Sequence, residues 1–207
     1  MPGHTRVVLT RVAVCAVAVA LAMTTPARAT QDDRRDARLQ PERVMDAVGI
    51  RPGMVVGEAG AGRGYFTFKL ARRVGATGKV YANDIDRDAL DHVRQACRDE
   101  GIGNVETVVG EVEDPLFPVT GLELVMMVYA LHDFARPAAF LQNLKKYLKP
   151  GGTVVILDQD PEASGDRHFL PRERLVELFA ESGYELARDE RFLEKDLLLV
   201  FRPAVSH

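Results

Sequence analysis

The residues of this chain that could do chemistry are concentrated around one glycine-rich stretch. Glu58 ends a short apolar run, and glycines follow it at positions 60, 62 and 64. Because glycine has no Cβ, such a loop lets the backbone approach a ligand closely and adopt positive φ. A second acid, Asp84, ends the next apolar run, where a carboxylate can accept hydrogen bonds from both hydroxyls of a ribose. The pattern predicts a site for a nucleoside-type ligand.

The spacing of these glycines separates the loop from two well-known phosphate-binding loops. It is G-x-G-x-G, whereas the dinucleotide fingerprint is G-x-G-x-x-G, and Tyr65 stands where the third glycine of that fingerprint would fall. No G-x-x-x-x-G-K sequence is present, so a triphosphate cradle is not expected. The spacing disfavours an oxidoreductase of the Rossmann type, while a plain turn between a strand and a helix remains open.

A second group of polar residues is expected at the other end of the same sheet edge. Tyr129 and His132 follow the fourth predicted strand, and Asp158 ends the fifth. The ordinary pKa of histidine suits proton transfer near neutrality, so His132 is the candidate general base, with Tyr129 and Asp158 as further catalytic candidates. The alternatives are that His132 only binds a nearby carbonyl, that Asp133 caps a helix and that Asp158 belongs to a turn. His168 lies in a loop that could cover an acceptor.

The elements that must position these residues alternate along the chain from Pro41 onward. The predicted helices span 41–48, 65–74, 87–100, 138–148 and 172–182. The predicted strands span 54–58, 79–84, 105–109, 122–128, 153–158, 184–192 and 197–201. Continuously apolar strands separated by helices indicate a parallel sheet buried on both faces. The last two strands have no helix between them, which requires an antiparallel pair. The fold class is therefore α/β, with a doubly wound sheet and an antiparallel C-terminal element.

Composition sets the limits of this interpretation. The chain has 207 residues, of which 46% are apolar and 28% charged, as in an ordinary globular protein with one main domain, here placed at 41–207. A formal charge of −3 gives no reason to expect a nucleic-acid partner. Two cysteines and five scattered histidines do not have the spacing of metal ligands, so no metal site is expected. Cys97 is predicted to be a buried thiol on a helix face.

The first 29 residues have the layout of a secretory signal peptide. Arg6 and Arg11 precede an apolar stretch at 12–23, and Ala27-Arg28-Ala29 fits a cleavage site. The apolar stretch is too short to span a bilayer, so no stable membrane insertion is expected after processing. The pattern predicts export to the periplasm or the medium, whereas a true start at Met23 would leave the protein in the cytoplasm. Residues 30–40 are expected to form a mobile polar leader.

Four motifs in order resemble the class I S-adenosylmethionine-dependent methyltransferases, and most closely the small-molecule branch that contains the ubiquinone/menaquinone-type enzymes. They are Glu58 with the glycine loop, Asp84, Val-Val-Gly-Glu at 108–111 and Leu-Lys-Pro-Gly-Gly at 148–152. The resemblance covers nearly all of 41–202. It implies a seven-stranded sheet whose last strand is antiparallel, and S-adenosyl-L-methionine as the cofactor.

The resemblance also implies roles for particular residues. Glu58, Gly60, Gly62 and Gly64 would hold the methionine part of the cofactor, and Asp84 the ribose. The adenine would be contacted by Ile85, Glu111 and Val112.

The resulting functional hypothesis is methyl transfer to a small-molecule substrate. An apolar strand tip at Met126, Met127 and Val128 favours a small, partly apolar acceptor. Because S-adenosylmethionine is kept in the cytosol, export leaves a second hypothesis open, a secreted non-catalytic binder of a nucleoside-type ligand in the same pocket. The acceptor and the oligomeric state are left open.

Overall fold

The computed structural model describes residues 31–204, so the predicted signal peptide lies outside the described residues. The helices are α1 Gln31–Leu39, α2 Pro41–Val48, α3 Thr67–Val74, α4 Arg87–Glu100, α5 Pro137–Leu144, α6 Pro161–Ser164 and α7 Arg172–Glu181. The strands are β1 Val55–Ala59, β2 Lys79–Asp84, β3 Val105–Val109, β4 Leu122–Val128, β5 Leu148–Gln159, β6 Tyr184–Glu190 and β7 Asp196–Pro203. No helix between residues 31 and 204 is long and apolar enough to cross a membrane.

The seven strands form one sheet in the order β3-β2-β1-β4-β5-β7-β6. Strands β1 to β5 are parallel to one another, and β7 runs antiparallel to both β5 and β6. The predicted fold class is confirmed, including the antiparallel C-terminal element. Strand order reverses between β1 and β4, and in open α/β sheets ligands bind beyond the carboxyl ends of the strands at such a reversal.

The core lies on both faces of the sheet because alternate side chains of each strand point to opposite sides. Leu124 and Met126 of β4 pack on one side with α2 and α3, whereas Val125 and Met127 pack on the other side with α5 and α7. Both methionines are almost wholly buried. The side chains of Met126 and Met127 belong to the core of the sheet, so they lend no direct support to the preference for a partly apolar acceptor that was inferred from this strand tip.

The helix predicted at 138–148 is shorter in the structure than in the prediction. α5 ends at Leu144, a 3-10 turn covers Lys145–Tyr147, and β5 begins at Leu148. Pro150 disfavours helical conformation at Lys149, so the helical run must end before that residue.

The predicted mobile leader is also corrected by the structure. Residues 31–39 form helix α1, whose last residue, Leu39, is completely buried in the core. Asp36 of α1 accepts hydrogen bonds from the Tyr65 hydroxyl at 2.7 Å and from the Lys69 ammonium at 2.6 Å. The charged residues that make the segment look like a leader thus attach the helix to α3 and the loop before it.

Candidate active site

The glycine loop between β1 and α3 is fixed to the neighbouring strand by its backbone. The N–H groups of Gly60 and Ala61 both donate to the carbonyl oxygen of Asn83 at 2.9 Å. Gly60 has φ +75°, and a Cβ placed there would lie 2.4 Å from the Cβ of Ala130. Only glycine can therefore occupy this position, where the loop lies against the segment that follows β4.

Asp84, the predicted ribose ligand, also holds the same loop through its own hydrogen bonds. Its Oδ2 accepts from the Gly62 N–H at 2.7 Å, and its Oδ1 accepts from the Asp86 N–H at 3.0 Å. Asp86 in turn caps α4, because its side chain accepts from the backbone N–H groups of Asp88 and Ala89. Gly62 has φ +52°, and a Cβ there would meet no atom within 4 Å, so this glycine borders open space in the cleft.

Gly64 has a different role from the other two glycines. A Cβ at this position would lie 2.8 Å from the Phe68 ring and 3.1 Å from Val93. The glycine therefore serves the packing of α3 against α4. Its predicted contact with the methionine part of the cofactor has no support from this geometry.

Glu58 forms the floor of the cleft and is only 2% exposed. Its Oε2 accepts a hydrogen bond of 2.5 Å from the hydroxyl of Thr67 at the start of α3. Burial raises the pKa of Glu58 to about 8, although the hydrogen bond from Thr67 and the positive charge of Arg35 act in the opposite direction. A buried carboxyl with a raised pKa is well suited to receive a cationic group of a ligand.

An apolar cavity adjoins this floor at the tips of β2 and β3. Ile85 is 59% exposed and Val112 is 45% exposed, and both line the cavity together with Asp84 and Glu111. Large apolar side chains held in water beside a cavity mark a binding surface. The structure thus brings together Asp84, Ile85, Glu111 and Val112, the four residues predicted for the ribose and adenine.

A buried histidine–carboxylate pair lies at the carboxyl ends of β4 and β5. His132 lies in a 3-10 turn at Leu131–Asp133, and its Nδ1 is 2.8 Å from Oδ2 of Asp158, at the end of β5. The two side chains are 5% and 2% exposed. Burial by itself would lower the pKa of His132, but the hydrogen bond and the negative charge of Asp158 outweigh it, so the pKa is raised.

Tyr129 is placed near this pair, but its hydroxyl is bound elsewhere. The backbone of Tyr129 has φ +54°, a strained value for a tyrosine. The hydroxyl donates to the buried carboxylate of Asp196 and accepts from the Arg38 guanidinium of α1 at 2.7 Å. Burial and then Asp196 raise the pKa of this hydroxyl well above its ordinary value. The ring forms a wall of the cleft, and the geometry supports a positioning role instead of the catalytic role predicted.

Several residues around the cleft are missed by sequence reasoning. Thr67 could have been predicted from the sequence. A buried carboxyl at Glu58 needs a hydrogen-bond donor, and Thr67 is a hydroxyl residue at the start of the helix that follows the glycine loop. Arg35 stacks over the Tyr65 ring at 3.7 Å and lines the cleft, so α1 forms one of its walls. Asp133 and His168 approach each other to 3.2 Å, although no spacing in the sequence indicates it.

Comparison with known proteins identifies the family. The sequence model of a family described as a methyltransferase domain matches residues 50–189. The ubiquinone/menaquinone biosynthesis C-methyltransferase of Shewanella pealeana is 34% identical over 115 residues, which are 55% of this chain and 46% of that protein. The enzyme of the same name from Hydrogenovibrio crunogenus is 33% identical over 122 residues, 58% of this chain and 48% of the other. The chain thus spans about half the length of the curated relatives it matches.

Solved structures share the fold. An S-adenosylmethionine-dependent methyltransferase from Aquifex aeolicus has a TM-score of 0.76 and 23% identity, covering 81% of this chain and 91% of its own. A [4+2]-cyclase has a TM-score of 0.70 and 14% identity, covering 88% and 86%. The cyclase shows that this fold carries more than one reaction, so the reaction must be argued from the site.

The chain belongs to the class I S-adenosylmethionine-dependent methyltransferases, and over little more than half of its length it is similar to ubiquinone/menaquinone C-methyltransferases. The cofactor of this class is S-adenosylmethionine, and the residues present fit it. A buried carboxyl at Glu58 suits its ammonium group, and the open space at Gly62 admits its chain. Asp84 suits the ribose, and the exposed Ile85 and Val112 suit the adenine.

Proposed function

We propose that this protein transfers a methyl group from S-adenosylmethionine to a small, partly apolar acceptor. The observation that carries the proposal is the buried His132–Asp158 pair, which is joined in sequence to Asp133 in the lining of the cavity that fits the cofactor. The pair and the cleft are built on the tips of adjacent strands, where this type of sheet binds its ligands.

The protein's own part in such a reaction is mainly to align and to exclude water. When bound, the cofactor supplies a methyl group activated by a positively charged sulfur. Glu58 and the glycine loop would bind the methionine part of the cofactor, and Asp84 would bind its ribose. An acceptor could then approach only from the side of His132. Alignment of this kind contributes up to ~7–11 kcal/mol in well-oriented reactions.

His132 is the proposed general base for an acceptor that must lose a proton. Asp158 accepts from Nδ1, which leaves Nε2 as the nitrogen that can take a proton from the acceptor. Asp158 acts as a positioning residue, because its buried carboxylate fixes the tautomer and favours the charged imidazole after proton transfer. Tyr129 contributes its ring to the wall.

The acceptor class is inferred from the walls of the cleft. Phe169 packs against His132 with ring centroids 4.4 Å apart and against Tyr129 with ring centroids 5.6 Å apart, so aromatic rings surround the proposed base. Aromatic walls favour a ring or a short hydrocarbon over a highly charged acceptor. The similarity to C-methyltransferases of ubiquinone and menaquinone biosynthesis supports an acceptor of this type.

Calorimetry tests the cofactor part of the proposal. S-adenosylhomocysteine should bind, with NAD and ATP much weaker. Gly62→Val should abolish binding by filling the open space beside the loop while leaving a folded circular-dichroism spectrum. Tighter binding of NAD than of S-adenosylhomocysteine would overturn it.

Steady-state kinetics test the base. With S-adenosylmethionine labelled in its methyl group and a panel of small phenols and quinols, His132→Ala should lower kcat by about 10²–10⁴ with cofactor affinity unchanged. Asp158→Asn should lower kcat in the same direction, and exogenous imidazole should restore part of the activity of His132→Ala. Glu106→Gln, an exposed change on β3, is the matched control. Unchanged transfer by the His132 and Asp158 variants would withdraw the base assignment.

We also propose that the protein is exported and that its mature chain begins at Thr30. The support is the sequence of the first 29 residues, which lie outside the described structure. N-terminal sequencing of protein from its native host should find Thr30 first. Recovery of a cytosolic chain beginning at Met1 or Met23 would refute export.

A further inference from the structure

Three side chains with metal-ligating atoms converge beside the acceptor end of the cleft. They are His132 and Asp133 of the 3-10 turn after β4, and His168 of the loop between α6 and α7. Nε2 of His168 lies 3.2 Å from one carboxylate oxygen of Asp133, and Nε2 of His132 lies 3.5 Å from the other. All the ligand atoms lie within 4.8 Å of one another.

These separations are close to those around a bound ion. Two ligands at about 2.1 Å from a tetrahedral ion are about 3.4 Å apart. Each histidine Nε2 already lies within 3.5 Å of a carboxylate oxygen of Asp133, although not of the same oxygen, so small movements of the Asp133 and His168 side chains, which are 65% and 61% exposed, bring the three ligand atoms to this spacing. The cluster therefore fits a transition-metal ion without a change in the backbone of the sheet.

Asp158 prepares His132 for this role. Histidines that bind metals usually donate their other ring N–H to a carboxylate, which fixes the tautomer and the orientation of the ring. The buried carboxylate of Asp158 holds Nδ1 at 2.8 Å, so that Nε2 is the free nitrogen and points towards Asp133. Phe169 packs against both histidine rings, with centroids 4.4 Å from His132 and 5.5 Å from His168.

We propose that His132, Asp133 and His168 form a binding site for one divalent first-row transition-metal ion, with Asp158 as the positioning carboxylate. Two imidazoles and one carboxylate suit Zn²⁺, Fe²⁺, Co²⁺ or Mn²⁺, and three protein ligands leave at least one position open. Asp133 also lines the cavity that contains Ile85 and Val112, so the ion lies between this cofactor cavity and the proposed acceptor side at His132.

The site has a consequence for the acceptor, which rests on the proposed function. An ion on Nε2 of His132 occupies the lone pair that a general base would use. In the metal-loaded protein, the ion itself lowers the pKa of an acceptor hydroxyl at its open position. This favours acceptors that carry an ionisable oxygen.

Metal binding can be measured without cofactor or acceptor. Untagged protein, freed of metal with a chelator, is titrated with Co²⁺ and followed by its visible absorption, and with Zn²⁺ by calorimetry. One ion should bind per chain. His168→Ala and Asp133→Asn should each weaken binding at least tenfold, and Asp158→Asn should weaken it about 10–100-fold. His92→Ala removes a histidine outside the cluster and should leave the metal affinity unchanged.

The result that would overturn the proposal is equal metal affinity in the wild type, His168→Ala and Asp133→Asn, or no binding of Co²⁺ and Zn²⁺ by the wild type. His168 lies in an exposed loop, so its variant should keep the wild-type circular-dichroism spectrum. Binding of S-adenosylhomocysteine is measured in parallel. Retained cofactor binding with no metal binding would refute this site alone, whereas loss of cofactor binding in the wild type would refute the proposed function alone.

Discussion

Cofactor binding should release a proton from Glu58. Burial raises the pKa of this carboxyl to about 8 in the ligand-free protein, so it is mostly protonated at pH 6–7. A cationic ammonium beside it favours the ionised form. The protein that binds best is therefore the fraction in which Glu58 is ionised, and the affinity should rise with pH.

The size of the effect follows from the pKa. With a pKa of about 8, the ionised share is about one in a hundred at pH 6 and about one in ten at pH 7, so the apparent affinity should rise about tenfold over this unit. It should level off above pH 8. The raised pKa of Glu58 also makes the free energy of unfolding depend on pH. Between the ordinary glutamate pKa and about 8, Glu58 keeps its proton in the folded chain but loses it in the unfolded chain. Glu58 therefore makes stability decline as pH rises from about 4.5 towards 8.

Calorimetry in two buffers with different ionisation enthalpies measures this proton directly. At pH 6–7, wild-type protein should release close to one proton for each S-adenosylhomocysteine bound. Glu58→Gln should bind more weakly and release none. In urea unfolding, the same variant should lose the decline of stability between pH 5 and 8.

Glu106→Gln carries the same chemical change on an exposed position of β3 and should behave as the wild type. An affinity that does not change between pH 6 and 7, together with no proton release by the wild type, would refute the reasoning.

Three further changes test the loop and α1. Asp84→Ala should cost about 1–3 kcal/mol of cofactor affinity in calorimetry, because a hydrogen-bonding carboxylate is lost; an unchanged affinity would contradict the ribose assignment. Gly60→Ala should lower the melting temperature and weaken cofactor binding, since its Cβ would overlap Ala130, whereas Gly103→Ala, with open space around it, should do neither. Leu39→Ala should cost about 2–5 kcal/mol in urea unfolding, and a loss no larger than that of the exposed Leu116→Ala would mean that α1 is not docked.

The sheet and the cofactor end could be predicted because their signals are local. Strands 79–84, 105–109 and 122–128 begin and end at the predicted residues, as does helix 87–100, since each apolar run is bounded by turn residues. The glycine loop and Asp84 follow their strands directly, so the order of the elements is enough to place them on one edge.

The acceptor end could be predicted only in part, because its contacts depend on tertiary packing. His132 and Asp158 are far apart in sequence, and they meet because β4 and β5 are paired and parallel. The approach of His168 depends on a loop whose path no periodicity describes. For α1, charge indicates a mobile segment, yet the partner of Asp36 is Lys69, which is equally remote along the chain.

The way in which α1 is attached has a consequence for the timing of turnover. Apart from Leu39, the helix is held by polar contacts, from Asp36 to Lys69 and Tyr65, from Arg35 to the Tyr65 ring and from Arg38 to Tyr129. Salt screens such contacts at the surface far more than it affects the apolar core of the sheet. Ionic strength therefore acts on this wall of the cleft separately from the rest of the fold. Higher salt should speed the release of S-adenosylhomocysteine and the binding of S-adenosylmethionine. The sheet that positions the cofactor and the acceptor should remain folded.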